Sequence, residues 1–77
     1  MYSSHMARRR RIVRIVLEPE EGAPAEWYVA TSPDLPGLVT HGRGVDATIK
    51  NVKGAMIAYF EGKPPAYTLD VRVLVPV

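Results

Sequence analysis

A turn segment at residues 32–42 restricts the fold of this chain more than any other feature. It places Pro33, Asp34 and the pair Pro36-Gly37 close together. Pro33 fixes φ at a turn position, and Asp34 is a typical acceptor for backbone N–H groups just downstream. Pro36 and Gly37 suit the two central positions of a type II turn, because glycine adopts positive φ without steric cost. We therefore predict a tight reversal between two strands here.

Two strands are predicted before this turn. Residues 12–17 are rich in β-branched side chains, and residues 26–31 combine aromatic with β-branched side chains. A loop containing proline and glycine separates them, so we expect the two strands to pair antiparallel. Successive side chains of a strand face opposite ways, so either Trp27 or Tyr28 points inward, and the pattern leaves open which one.

A helix is predicted over residues 45–61. Its apolar residues repeat at the helical period: Val45, Ile49, Val52, Met56, Tyr59 and Phe60. Gly44 is the expected N-cap, and Asp46 lies where the helix dipole favours a negative charge. Gly62 and the two prolines that follow end the helix. We expect the apolar stripe to pack on the sheet.

Two further strands complete the predicted order. Residues 38–41 form a short strand after the turn, and residues 67–75 alternate between apolar and polar side chains. The order is β-β-β-α-β, in which the last strand returns parallel to the first through a right-handed crossover. The expected class is α+β: a four-stranded, mostly antiparallel sheet with one helix packed on one face.

The length and composition indicate a small domain that gains from self-association. Residues 1–6 match a cloning remnant, which leaves residues 7–77 as a single domain. A chain of 77 residues without cysteine buries only about 60% of its unfolded surface and has no disulfide to compensate. Because no apolar run approaches the roughly 18 residues of a membrane span, we expect a cytoplasmic protein without a membrane partner.

The second face of the predicted sheet is the expected surface for self-association. Ile12 and Val16 lie on this face of the first strand, and Leu74 interrupts the polar face of the last strand. Apolar side chains on a face that the helix does not cover favour contact with another copy. We therefore predict a homodimer or higher oligomer through these three residues, with an open sheet edge as a second possibility.

Several segments together resemble the HicB-like antitoxins. They are Tyr28-Val29-Ala30, Pro33-Asp34-Leu35-Pro36-Gly37, Val39-Thr40, Gly42, and the helix residues Ile49, Asn51, Lys53, Ala55, Tyr59 and Glu61. The resemblance covers residues 12–75 and implies a truncated ribonuclease H-like fold. It also implies a protein that oligomerises and neutralises a small HicA-type ribonuclease toxin by covering its active surface. On this hypothesis the partner-binding residues are Asp34, Leu35, His41 and Arg43.

Two other interpretations stay open. Arg8, Arg9, Arg10 and Arg11 form a basic arm before the first strand, and such an arm can bind the phosphates of a nucleic acid weakly. The same arginines can instead flank the strand as a solvated terminus. A structural dimer with a different partner is the third hypothesis.

A catalytic function is not expected. Two-metal nuclease chemistry needs several carboxylates around cations about 4 Å apart. The acidic residues fall in a loop, a turn, the helix ends and a strand face: Glu18, Asp34, Asp46, Glu61 and Asp70. Arg14 occupies the middle of the first strand, where the complete ribonuclease H-like fold anchors a carboxylate. His41 has no cysteine or second histidine near it, so we predict neither a metal nor a cofactor.

Overall fold

The computed structural model describes residues 10–22 and 24–74, which form one four-stranded sheet and one helix. The elements are β1 (Arg11–Pro19), β2 (Trp27–Thr31), β3 (Val39–Arg43), α1 (Val45–Tyr59) and β4 (Tyr67–Val73). This order confirms the predicted β-β-β-α-β arrangement and the α+β class.

The observed bounds differ from the predicted ones by only a few residues. β1 extends the predicted strand at both ends, β3 starts one residue later and reaches Arg43, and α1 ends at Tyr59. The cloning remnant at residues 1–6 and the predicted end of the last strand at residue 75 lie outside the described residues. The turn and capping signals therefore located the elements, and the sheet pairings determine where each strand ends.

The four strands lie in the order β3-β2-β1-β4. β1 and β2 are antiparallel, with Leu17 opposite Ala30, and β2 and β3 are antiparallel as well. β4 lies beside β1 and parallel to it, with Ile15 opposite Val71. A parallel neighbour requires a crossover, and α1 supplies it. The predicted return of the last strand to the first is confirmed.

The core lies between α1 and one face of the sheet. On β1 this face carries three fully buried residues, Val13, Ile15 and Leu17. The apolar stripe of α1 was predicted correctly at Val52 and Met56, which are also fully buried. Tyr59 was expected in the same stripe but is 40% exposed. The buried face of α1 is therefore rotated towards positions that the apolar pattern did not include.

Thr48 is the residue that this rotation buries. Its side chain is completely buried, although the sequence pattern gave it no place in the core. The Thr48 hydroxyl donates to the carbonyl of Gly44 at 2.7 Å, so the buried polar group is satisfied within the first turn of α1. A polar residue can therefore occupy this core position without an unpaired hydrogen-bonding group.

Gly42 on β3 allows α1 to approach the sheet at Thr48. A Cβ atom built on Gly42 would lie 2.5 Å from Thr48 Oγ1 and 2.6 Å from Thr48 Cα. Neither atom can move far, because both belong to the first turns of a packed helix. A glycine within a strand commonly marks such a close approach of backbone to backbone. The contact fixes the height of α1 above β3.

We expect Gly42→Ala to destabilise the fold by about 1–3 kcal/mol, because the added methyl group overlaps the backbone of α1. Gly54→Ala is the matched control: apart from its own chain neighbours and the nearby backbone of α1, no atom lies within 4 Å of its Cβ position. Alanine there should instead stabilise α1 by up to about 1 kcal/mol. Urea unfolding followed by circular dichroism measures both, and equal midpoints for Gly42→Ala and the unchanged protein would contradict the assigned contact.

Candidate functional site

The face of the sheet opposite α1, here called the outer face, carries most of the candidate residues. Because strand side chains alternate, the residues between the buried positions of each strand point to this face. One row across it contains Val39, Thr31, Val16 and Arg72, read from β3 to β4. The outer face therefore combines apolar side chains with charged ones and is available to a macromolecular partner.

Trp27 lies on the outer face, next to β3. Tyr28 packs against the core, which decides the question that the strand pattern left open. Trp27 is half-buried and lies opposite Arg43 in the β2–β3 pairing. The register of the sheet explains this orientation, because Tyr28 pairs with Gly42, the glycine that faces α1. Once Gly42 is assigned to the inner face, alternation places Trp27 outside.

Two side-chain contacts lie beside Trp27 on the outer face, and we call the group of Glu20, Glu26, Trp27, His41 and Arg43 the aromatic corner. His41 Nδ1 lies 2.8 Å from Glu20 Oε1, and Arg43 Nε lies 3.9 Å from Glu26 Oε1. The N–H of Glu20 donates to the carbonyl of Trp27 at 2.9 Å. These contacts link the loop between β1 and β2 to β2 and β3.

The aromatic corner brings an indole, an imidazole and a guanidinium to one surface. Tryptophan and arginine are enriched among the residues that contribute most to protein–protein binding. Within residues 10–22 and 24–74, no cluster of three His, Cys, Asp or Glu side chains is arranged to hold a metal ion.

The turn after β2 has the predicted type II form at Pro36-Gly37. The N–H of Leu38 donates to the carbonyl of Leu35 at 3.1 Å, and Gly37 adopts a φ of 87°. Positive φ at this position costs glycine no steric strain, whereas other residues would be strained there. The turn directs both leucines inward, where they are buried in the core.

Asp34 binds β1 rather than the backbone downstream of it, so the predicted local acceptor role is wrong. Its carboxylate accepts from the backbone N–H of Arg14 at 2.8 Å and from the Arg14 guanidinium at 3.1 and 2.7 Å. β2 ends at Thr31, opposite Val16, so Arg14 has no β2 residue facing its N–H. The Asp34 carboxylate therefore accepts the hydrogen bond from the Arg14 N–H that a longer β2 strand would have accepted.

This pairing changes the protonation of Asp34. The hydrogen bonds from the Arg14 side chain, followed by that from its backbone N–H, lower the pKa of Asp34 to about 2. The same hydrogen bond raises the pKa of Arg14 above its ordinary value. Both side chains stay in contact with water, at 59% exposure for Arg14 and 22% for Asp34, so solvent screens the pair.

The four predicted partner-binding residues do not form one site. Leu35 is only 2% exposed and belongs to the core, so it is not available to a partner. Asp34 is engaged with Arg14 at one end of the outer face. His41 lies two rows of side chains away and Arg43 three rows away, both in the aromatic corner. The structure therefore separates two residues that hold the turn from two that face outward.

The predicted oligomer residues share the outer face but are not contiguous. Ile12 is 65% exposed, Leu74 is 46% exposed, and Val16 is half-buried. Arg14 stands between Ile12 and Val16 on β1, and Arg72 is the neighbour of Val16 on β4. Charged side chains thus interrupt the apolar surface that the sequence pattern suggested.

The described part of the arginine arm contacts the domain itself. The Arg10 guanidinium donates to the carbonyl of Tyr67 at 2.9 Å, and the Arg11 guanidinium carbon lies 5.9 Å from the centre of the Phe60 ring. The second contact is a cation–π interaction. Arg8 and Arg9 lie outside the described residues. Arg10 and Arg11 therefore fasten the start of β1 to β4 and to the end of α1.

Comparison with protein-family models, with curated proteins and with solved structures returned no match. The resemblance to HicB-like proteins therefore depends on the residues alone. In the described ranges, no helix has the length and apolar character needed to cross a membrane.

We expect Asp34→Asn to lower the melting temperature at neutral pH, and the difference from the unchanged protein to disappear in acid. The pKa of Asp34 is lowered from 3.8 to about 2, so its stabilising charge is fully present above about pH 3.8. That contribution is lost as the pH falls towards 2. Melting curves between pH 7 and pH 2 measure this, with the exposed loop variant Glu21→Gln as control. A gap that persists unchanged in acid would contradict the assignment.

Proposed function

We propose that this protein is a HicB-like antitoxin module that binds a small HicA-type ribonuclease and covers its active surface. The module performs no chemistry itself. Its support comes from the motif residues of the turn, from the β-β-β-α-β order, and from the surface around Trp27. The surface around Trp27 is the main support for the proposal, because it is the surface that the ribonuclease would contact.

The turn motif supports the fold resemblance rather than a direct contact. Leu35 is in the core, Gly37 makes the turn, and Asp34 joins the turn to β1. These roles explain why the segment has its particular composition without any partner. The binding surface of the proposed antitoxin therefore lies elsewhere on the molecule.

The aromatic corner and the acidic loop beside it form the proposed toxin-binding surface. Residues 18–26 contain four glutamates, at positions 18, 20, 21 and 26, and three of the four are exposed. A ribonuclease must present cations to the phosphates of its substrate. An acidic loop next to a half-buried tryptophan complements such a surface in charge and supplies an apolar anchor at its centre.

The test uses the ribonuclease-like reading frames adjacent to the gene, each co-expressed with the full chain. We expect a stable complex, rescue of growth, and inhibition of RNA cleavage by the purified protein. Trp27→Ala should weaken the inhibition by about 10- to 100-fold, because tryptophan anchors commonly dominate an interface. Ile57→Ala is the matched control: Ile57 is 52% exposed, lies on α1, and should leave the inhibition unchanged.

Two results would count against this proposal. The absence of both a complex and growth rescue with every adjacent candidate would refute the antitoxin function. Full inhibition by a folded Trp27→Ala variant would exclude the aromatic corner as the binding surface. Direct binding of RNA that weakens steeply with salt would instead favour the arginine arm as the functional element.

A further inference from the structure

β4 is the terminal strand of the sheet and has a neighbour on one side only. The N–H of Arg11 donates to the carbonyl of Ala66 at 3.1 Å, and the N–H of Leu74 donates to the carbonyl of Leu17 at 2.8 Å. Residues with even numbers therefore direct their backbone groups towards β1. Since these directions alternate along a strand, the odd-numbered residues of β4 direct theirs away from the sheet.

The free edge of β4 is long and regular. It presents the outward N–H and carbonyl groups of Leu69, Val71 and Val73, while Arg10 occupies the outward carbonyl of Tyr67. β4 contains no proline and no inward-pointing charge, which are common means of blocking an edge. Among the described residues, these three positions have no hydrogen-bonding partner strand on their outer side. The edge is therefore a template for another strand.

The opposite edge of the sheet, formed by β3, is partly occupied by a side chain of α1. The N–H of Gly44 donates to the carbonyl of Glu26 at 2.7 Å, which places the backbone groups of His41 on the outward side of β3. Asn51 of α1 donates its Nδ2–H to the His41 carbonyl at 2.7 Å. A side chain of the helix thus occupies the centre of the β3 edge. Among the described residues, the edge of β4 is therefore the more open of the two.

We propose that two copies of this chain pair antiparallel through their β4 strands, with Val71 on the two-fold axis. The dimer then contains one continuous eight-stranded sheet. We assign a second copy of the chain to this edge because two antiparallel β4 strands place opposite charges next to each other, and they do so in one register only. This assignment is independent of the proposed toxin.

The register follows from the backbone directions and from two charged side chains. Outward-pointing residues must face each other, so odd-numbered residues pair with odd-numbered ones. An axis at residue 70 would place Asp70 opposite its own copy, and an axis at residue 72 would do the same to Arg72. An axis at Val71 instead places Asp70 opposite Arg72 of the second copy, twice. These two pairs occupy the positions where cross-strand side chains approach most closely.

The inner face of β4 agrees with this register. Val71 meets its own copy, and Leu69 meets Val73 of the second copy, so apolar side chains face apolar ones. Leu69 and Val71 border an open groove of about 550 Å³ between β4 and α1, which leaves both half-buried in a single protomer. A neighbouring strand covers the exposed flank of these side chains, and aliphatic cross-strand pairs stabilise an antiparallel sheet.

The dimer leaves the aromatic corner accessible. The corner lies against β3, at the opposite side of the sheet from β4. Two copies joined at β4 therefore carry two outward corners at the far ends of the eight-stranded sheet. Self-association and the proposed toxin binding use separate surfaces, so a failure of one does not imply a failure of the other.

Charge reversal tests the interface on the full chain. By light scattering after gel filtration at about 100 µM, the unchanged protein should be a dimer. Arg72→Glu and Asp70→Arg should each raise the dissociation constant by about tenfold or more, because each replaces two attractions with two repulsions. The combined variant Asp70→Arg/Arg72→Glu restores both pairs and should restore the dimer. Lys50→Glu, an equal charge change at an exposed position on α1, should stay dimeric.

A cysteine variant tests the register without changing charge. The protein has no cysteine, so Val71→Cys introduces a single thiol on the axis. Facing residues in an antiparallel pair lie about 5.5 Å apart, within the range that a disulfide spans. Mild oxidation should link Val71→Cys into a covalent dimer and leave the control Thr68→Cys monomeric under denaturing conditions.

Three results of the charge-reversal experiment would contradict the proposed dimer. A monomeric unchanged protein, a dimer that survives both single reversals, or a folded double variant that stays monomeric would overturn the proposal. Cross-linking of Thr68→Cys in place of Val71→Cys would overturn the register. Circular dichroism of every variant identifies loss of folding, and in that case the cysteine pair gives the decision.

Discussion

The contact between Gly42 and Thr48 determines where α1 lies on the sheet, and the position of α1 determines which strands it covers. α1 begins two residues after β3 ends, so its first turn must pack close to that strand. The missing side chain at Gly42 makes this possible, and the Thr48 hydroxyl bonds within its own helix. From this starting point α1 covers β1 and β2 with Val52 and Met56. β4 receives less cover, which leaves the groove beside it.

The order of elements, the type II turn and the parallel return of β4 could be predicted from local signals. Pro36-Gly37 specifies its own geometry, and the crossover follows from the handedness of β-α-β connections. The misplaced details all depend on partners far away in the sequence. Asp34 was expected to bond locally, but it bonds to Arg14 because β2 is too short to reach that position. Sheet register, which no single segment encodes, decides such contacts.

Only part of the candidate site could be predicted from the sequence in the same way. Of the residues predicted to bind a partner, His41 and Arg43 are exposed, whereas Leu35 is required by the core. The orientation of Trp27 could not be predicted, because the alternation of side chains along a strand allows either Trp27 or Tyr28 to point inward. The glycine that faces α1 resolves this ambiguity, but only when it is known which strands pair and in what register. A motif can therefore mark a fold strongly while the residues that meet a partner lie outside it.

The hydrogen bond from Asn51 to the His41 carbonyl has a consequence for assembly. Sheets with two open edges can grow head to tail, because β3 of one copy would accept β4 of the next, and such contacts propagate without limit. The Asn51 amide occupies one of the backbone acceptors that such growth would use. In the proposed pairing, association through the β4 edge ends at two chains instead of continuing as a fibre.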